Sequence, residues 1–389
     1  MEFLKNKTHI DFIGKRRIAV AISTAVNVLI LVGVAIFGLN LGVDFAGGTV
    51  VEVKFKQSTS VEEVRRRAEA GGLEGVTVTP IGSAGENTFL LRMGGVTQLT
   101  EQNRDQVKAA LDQLGQVQRF DADLDNGLVN FRMANQADTE AVRKTVTGAG
   151  VGVNEVRFLG AAQGGGFDYQ VVVSGIADKV FAALSAGHVG ADGQPDFERQ
   201  RVDYVGPQVG KQLRNRGIMA VIYSMIAILI YVAFRFDFKF GPGALIAMLH
   251  DVIMVVGFYL VFRAEFNLTA IAALLTIVGY SVNDTIVIYD RVREEMAKLK
   301  GKPLPEVINI AINETLSRTI LTGMSTVLAV IGLIVFGVGE IRDFAWAMLV
   351  GVAVGTYSSI FIASPLTIWI DERMAARAAQ EKKTAHATA

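Results

Sequence analysis

Six apolar runs constrain this chain more than any other feature. They cover residues 18–39, 217–234, 242–262, 268–289, 317–336 and 344–370. Each is close to the roughly 20 residues that a helix needs to cross a bilayer core. Hydrocarbon leaves no solvent for backbone N–H and C=O groups, so such runs must be helical. A membrane bundle of six transmembrane helices is therefore predicted. Composition alone would not say so, because 51% hydrophobic residues is near the soluble average. The clustering carries the argument, and residues 40–216 between the first two runs are patterned like soluble protein. Lys5, Lys7, Lys15, Arg16 and Arg17 precede the first run, as they would in a secretory signal. The run is longer than a signal core and no small-x-small cleavage pattern follows, so an uncleaved anchor is predicted.

Charge then orients the spans. The N-terminal tail is basic, as are the loop with Arg235 and Lys239, the loop 290–316 (Arg291, Arg293, Lys298, Lys300, Lys302) and the tail with Arg373, Arg377, Lys382 and Lys383. With six spans these segments fall on one side, which the positive-inside rule makes cytoplasmic. The predicted order is a cytoplasmic tail at 1–17, a first span at 18–39, an extracytoplasmic region at 40–216, a bundle at 217–370 and a cytoplasmic tail at 371–389. That last tail is polar and Ala-rich and is read as disordered. The protein would then be a multi-pass protein of the cell inner membrane, with its large loop in the periplasm. Thirty-eight basic residues balance 38 acidic ones, so nothing points to nucleic acid. There is no Cys, and His9, His188, His250 and His386 are scattered, so no metal site or cofactor is expected.

Residues 49–93 read as strand, helix, strand, strand. Thr49–Phe55 alternates, Ser60 caps a helix with Glu63 at the capping-box position, and short strands follow near 76–78 and 89–91. A helix near 100–114 carries Val107, Ala110, Leu111 and Leu114 at helical spacing. The order recurs about 78 residues later: Val51 corresponds to Val129, Val64-Arg65 to Val142-Arg143, Val78 to Val156, Ile81-Gly82 to Leu159-Gly160, and Phe89 to Phe167. A helix with Val180, Ala183 and Leu184 and a strand near 199–205 complete it. Each copy is β-α-β-β-α-β, the ferredoxin-like split βαβ order. The expected fold is thus an α-helical membrane bundle plus a duplicated α+β ferredoxin-like region, with packed units at about 45–122 and 127–206. No nucleophile–base set or phosphate-binding loop appears, so there is no catalytic residue to name and an enzyme is not expected.

Ionisable groups inside a membrane are costly and mark candidate functional sites. His250-Asp251 lies nine residues into the third run, about 14 Å deep at 1.5 Å per residue. Asn283-Asp284 lies six residues before Asp290, about 9 Å inside the same border. Arg318 opens the fifth run, with Thr322 and Thr326 following at i+4 and i+8. Asp284, Arg318 and Asp251 are the ion-coupling candidates. A carboxylate whose Arg partner comes and goes can take up and release a proton; a static pair that only fixes helix packing is the alternative. Asn283, His250, Thr322 and Thr326 read as supporting groups. Gly351, Gly355 and Ser359, four residues apart, suit close helix packing.

Five motifs in order resemble the SecD/SecF family of bacterial protein-export subunits, on its SecF side. They are Asp44-Phe45-Ala46-Gly47-Gly48-Thr49 after the first run, Val205-Gly206-Pro207-Gln208-Val209-Gly210 before the second and His250-Asp251-Val252 in the third. Gly279 through Glu294 with Asn283-Asp284-Thr285, and Ser317-Arg318-Thr319, complete the set. The resemblance implies a translocase subunit that pairs with SecD into a fold like that of RND transporters. It implies work beside the SecYEG channel and the SecA motor, in the company of YajC and YidC, on an exported polypeptide and amid membrane lipid. It also implies use of a proton or sodium motive force. Two features depart from the family: the second ferredoxin-like unit, and a fifth run in which Gly323-Met324-Ser325-Thr326 is less rich in Ser and Thr. A scaffold that moves no ion, and a subunit of a small-molecule RND-type exporter, are the competing readings. The first would not need buried ionisable groups, and the second would need larger outer domains with an apolar pocket.

Overall fold

The computed structural model describes residues 8–73, 75–81, 86–186 and 194–387. Lys5, Lys7, Gly82 and His188, and the side chains of Lys382, Lys383 and His386, fall outside the description. The chain forms two compact units, one of Met1–Leu41 with Asn215–Ala389 and one of Gly42–Arg214. In chain order the elements begin with α1 (Arg16–Phe37), α2 (Val43–Ala46), β1 (Gly48–Phe55), α3 (Val61–Ala70), β2 (Thr77–Ile81) and β3 (Thr88–Met93). Next come α4 (Glu101–Gly115), β4 (Val117–Asp123), β5 (Leu128–Met133), α5 (Thr139–Gly148), β6 (Val153–Ala161) and β7 (Phe167–Val173). Then follow α6 (Ile176–Ser185), β8 (Phe197–Val205), α7 (Pro207–Arg235), α8 (Gly241–Phe262), α9 (Leu268–Lys298), α10 (Leu304–Phe336), α11 (Glu340–Ser358) and α12 (Ser364–Ala387).

The unit Gly42–Arg214 holds two four-stranded antiparallel sheets, ordered β2-β3-β1-β8 and β4-β5-β7-β6. The elements follow the β-α-β-β-α-β order twice. The expected unit boundaries, 45–122 and 127–206, nevertheless do not match the packing. Strand β8 pairs with β1, from Gly48 opposite Val205 to Phe55 opposite Phe197. Helix α6 buries Val180, Phe181 and Leu184 in the same core as Val51, Val64, Leu91 and Phe197. Helix α4, by contrast, buries Val107 and Leu111 with Val129, Phe131, Val142 and Tyr169 of the other sheet. Each core is composite: the closing α-β half of each copy packs on the other copy.

The physical reason lies in a short connection. Only residues 124–127 join β4 to β5, and Asn126-Gly127 there is a strong short hairpin signal. Asp123 Oδ1 accepts hydrogen bonds from the backbone N–H of Asp125 (3.1 Å) and Asn126 (3.0 Å), and Gly127 takes φ +64°. A tight hairpin forces β4 beside β5 and so takes α4 and β4 away from β1. The vacated edge of β1 is filled by β8. The two crossing segments run alongside each other, with Ile176 N–H donating to Val96 C=O at 3.1 Å and Gln98 N–H to Ser174 C=O at 3.2 Å. Helix starts are set as the residues suggest: Ser60 Oγ accepts from Glu63 N–H at 3.2 Å, and Thr100 and Asn103 form a reciprocal capping box.

Six helices among the described residues are long and apolar enough to cross a membrane: Ile13–Phe37, Pro207–Arg235, Gly241–Phe262, Leu268–Lys298, Leu304–Phe336 and Glu340–Glu381. Helices α9 and α10 run well past the expected span borders, so most of the basic loop 290–316 is helical. The tail beyond Arg373 corrects the reading of it as disordered: α12 continues to Ala387. Ala is the best helix former, and a polar helix extending from a packed span needs no buried face of its own. A π-helical turn at Ser359–Ala363 joins α11 to α12. Such turns occur often at functional sites, and this one lies at the polar centre of the bundle.

Candidate functional site

Helix α9 packs against α8, α10 and α11. Its inward residues Ser281, Asp284 and Thr285 are buried, and the spacing of three and four places them on one face. On α8, His250 is 3% exposed and Asp251 0%. Asp251 Oδ1 lies 2.9 Å from His250 Nδ1, and its Oδ2 accepts hydrogen bonds from Ser281 Oγ at 2.5 Å and Ser358 Oγ at 2.8 Å. Three helices thus converge on one carboxylate. Ser359 donates to the Ser281 carbonyl at 3.4 Å and lies 2.8 Å from Thr285 Oγ1. One turn along, Asp284 Oδ1 accepts from Thr319 Oγ1 of α10 at 2.6 Å. Asp284 Oδ2 is buried without a hydrogen-bond partner.

The sequence-predicted residues divide accordingly. Asp251, His250, Asp284 and Ser359 come together in one polar seam. Arg318 does not bond Asp284: it is exposed on α10, and its neighbour Thr319 makes the contact. Thr322 and Thr326 cap carbonyls of their own helix, donating to Arg318 C=O at 2.9 Å and Thr322 C=O at 3.0 Å. Asn283 points away from the seam and is exposed. Gly351 and Gly355 do pack closely. A methyl group at Gly351 would strike Ile277, and one at Gly355 would sit 3.0 Å from Ser281 Cβ, so their bareness lets α11 bring Ser358 and Ser359 against α9. The sequence reading missed Ser281, Ser358 and Thr319. Ser281 stands three residues before Asp284 and Thr319 directly after Arg318, so helical spacing from the charges was the available signal.

The glycine motif and the Pro-containing motif form a second junction, within the unit Gly42–Arg214. Gly47 and Gly48 have φ of +77° and +147°, conformations that cost a residue with a Cβ. A Cβ at Gly47 would lie 2.8 Å from Pro207 Cα, and one at Gly210 would lie 3.1 Å from Gly47 N and 3.2 Å from Asp44 O. Phe45 is buried, Thr49 Oγ1 donates to Gly95 C=O at 2.9 Å, and Gly210 N–H donates to Gly206 C=O at 2.9 Å to open α7. The β1–β8 ladder sets the two motifs opposite each other, which explains why both are bare backbone.

Comparison with known proteins places the chain in a family. The family described as Protein export membrane protein SecD/SecF, C-terminal, matches residues 186–373, and the SecD/SecF GG Motif matches residues 32–59. Protein translocase subunit SecF of Magnetococcus marinus is 37% identical over 98% of this chain and 99% of its own length. That of Rickettsia bellii is 34% identical over 96% of this chain and 97% of its own. Crystal structures of SecDF are similar in fold. A Super-membrane-facing form has TM-score 0.59 at 29% identity, covering 97% of this chain. SecDF from Thermus thermophilus, titled a translocon-associated membrane protein, has TM-score 0.61 at 28% identity, covering 96% of this chain. The chain spans 40% of the length of each SecDF chain. With relatives matched almost end to end and both motif regions recognised, the chain belongs to the SecF family of protein translocase subunits.

Proposed function

We propose that this chain is an ion-coupled half of an export motor. In this reading it pairs with SecD and uses a proton or sodium motive force to assist export of preproteins through SecYEG and SecA, without enzymatic chemistry of its own. The observation that carries it is Asp284, a buried carboxylate in a membrane-spanning helix with one oxygen held by Thr319 and the other unpartnered. A purely structural Asp would have both oxygens satisfied, because an unpaired buried acceptor is costly. An acceptor held ready for a proton or cation need not.

The pairing with SecD rests on polar surface facing outward. Thr276, Gly279 and Asn283 of α9 and Arg318 and Thr322 of α10 are exposed on helices apolar enough to span. Lipid is a poor partner for Asn and Arg, whereas small and polar residues favour close helix association. A second six-helix half packed there would complete an RND-type bundle and give Arg318 a partner across the interface. Residues 40–216 lie outside the cytoplasm and both termini inside. We read the two sheets as ferredoxin-like units that have exchanged their closing α-β halves, an arrangement that ties the glycine motif to the start of α7.

The test is export into inverted vesicles with and without a motive force. Asp284→Asn keeps shape and hydrogen bonding while removing the charge. It is expected to leave insertion and co-purification with SecD intact and to abolish the motive-force-dependent part of export. Asp284→Asn vesicles that respond as wild type does would reject ion coupling through this residue.

A further inference from the structure

The ion-coupling seam has an unused member. His250 Nδ1 faces Asp251, while its Nε2 is buried and has no hydrogen-bond partner. The ring lines a cleft of about 610 Å³ between α1, α8 and the sixth-span helix. Asn27 lines the same cleft, and its Oδ1 is a second buried polar atom without a partner. At the end of the cleft where α1 begins stand Arg16, Arg17 and Glu372, with Trp369 beside them. Arg17 and Asn27 are ten residues apart on α1, so the cleft reaches about 15 Å along the bundle. Its charges do not make an anion cradle, because Arg16 is paired with Glu372 at 3.4 Å. Buried polar atoms are nearly always satisfied. Two of them in one cleft wide enough for many waters point to a hydrated path.

We propose that this cleft is an aqueous exit on the side where α1 begins, and that His250 is the proton relay from Asp251 to it. The proposal rests on the ion-coupling reading above and names the route out of it. A proton on Asp251 Oδ1 passes to Nδ1 and gives the imidazolium, and the Nε2 proton leaves to cleft water. A neutral ring protonated on Nδ1 remains, so one proton has moved and charge is conserved. The starting tautomer returns when the ring turns about Cβ–Cγ to meet water, where Nε2 gains a proton and Nδ1 gives one up. A second, smaller cavity of about 460 Å³ on the Tyr357 side of His250 gives it room. The titratable and charged groups around the ring are Asp251 on its own helix, Tyr357 with its ring 6.1 Å away, and Arg16, Arg17 and Glu372 at the mouth. Tyr357 is engaged elsewhere, 2.9 Å from Ser23 Oγ and donating to Ala19 C=O at 3.2 Å. His250 is thus the group that touches both cleft and carboxylate.

The test uses inverted vesicles that contain the chain with its Sec partners. Positioned proton-transfer groups are worth about 100-fold or more, so His250→Gln and His250→Ala are expected to lower the motive-force-dependent rate by about that factor. Export driven without a motive force stays unchanged. Imidazole added to His250→Ala vesicles is expected to restore much of the rate, and to do so better as pH rises and the free base accumulates. Wild-type vesicles with imidazole control for loss of the pH gradient. A wild-type response in His250→Gln, or a loss in His250→Ala that imidazole does not relieve, overturns the relay. If neither variant accumulates, Ala21→Trp narrows the cleft from α1, and an unchanged motive-force response in it overturns the proposal. Asp284→Asn run in parallel separates the two levels. Loss there with a normal His250→Gln sinks only the relay, whereas no response in wild type sinks the ion-coupling reading itself.

Discussion

Cysteines at positions 52 and 201 test the exchanged packing directly. Glu52 and Arg201 oppose each other in the β1–β8 ladder. Opposed Cα atoms in an antiparallel ladder lie about 4.5–5.5 Å apart, inside the roughly 4.4–6.8 Å that a disulfide spans. The native chain has no Cys, so Glu52→Cys with Arg201→Cys has no competitor. The bond closes a ring of roughly 150 residues, for which chain entropy predicts up to about 5 kcal/mol. At about 2–4 °C per kcal/mol for a region of this size, the unfolding midpoint of Gly42–Arg214 is expected to rise by about 10–20 °C. The measurement is gel mobility of the full chain under mild oxidant, followed by thermal unfolding with and without reductant. Glu52→Cys with Asp121→Cys is the control, because β4 would lie beside β1 if each copy folded on itself. Closure of the 52/121 pair while 52/201 stays open refutes the exchange.

Three further outcomes are expected. Gly48→Ala places a Cβ at φ +147° against the Met93 carbonyl. It is expected to cost about 1–3 kcal/mol and to lower the unfolding midpoint of the outer unit. Arg132 donates to both oxygens of Asp168, from Nε at 2.7 Å and Nη2 at 2.9 Å, and these bonds hold the Asp168 carboxyl below its usual range. Because the folded value is the lower one, the contribution is present above the unfolded carboxyl range and fades as pH falls through the folded value. Asp168→Asn should therefore flatten the acid limb of stability against pH, read by hydrogen exchange in β5 and β7; an unchanged limb would discount the pair. An impermeant thiol reagent is expected to label Gln163→Cys in intact cells and Lys300→Cys only after lysis, and the opposite pattern would invert the proposed orientation.

Much of this protein was legible in the sequence because bilayer physics leaves few choices. Six apolar runs had to be helices, and helices stand at all six, although α7, α9, α10 and α12 extend past the apolar stretches into polar sequence. Alternation and a capping residue marked β1 and α3 where they stand, since those signals act within a few residues. The burial of Asp251 and Asp284 among packed helices agrees with their places inside the apolar runs. Tertiary structure decided the rest. A hydrophobic face says that α4 and α6 each need a core and does not say whose, so the exchange emerged only when the β4–β5 hairpin claimed its neighbour. Thr319 bonds Asp284, so the adjacent Arg318 stands at a similar height in the bundle. The azimuth of each helix decides contact, and it set Thr319 on the carboxylate and left Arg318 exposed without bonding it. The convergence of Ser281 and Ser358 on Asp251 likewise required α11 to approach α9 over Gly351 and Gly355, a distance set by packing between segments about 70 residues apart, beyond the reach of any local pattern.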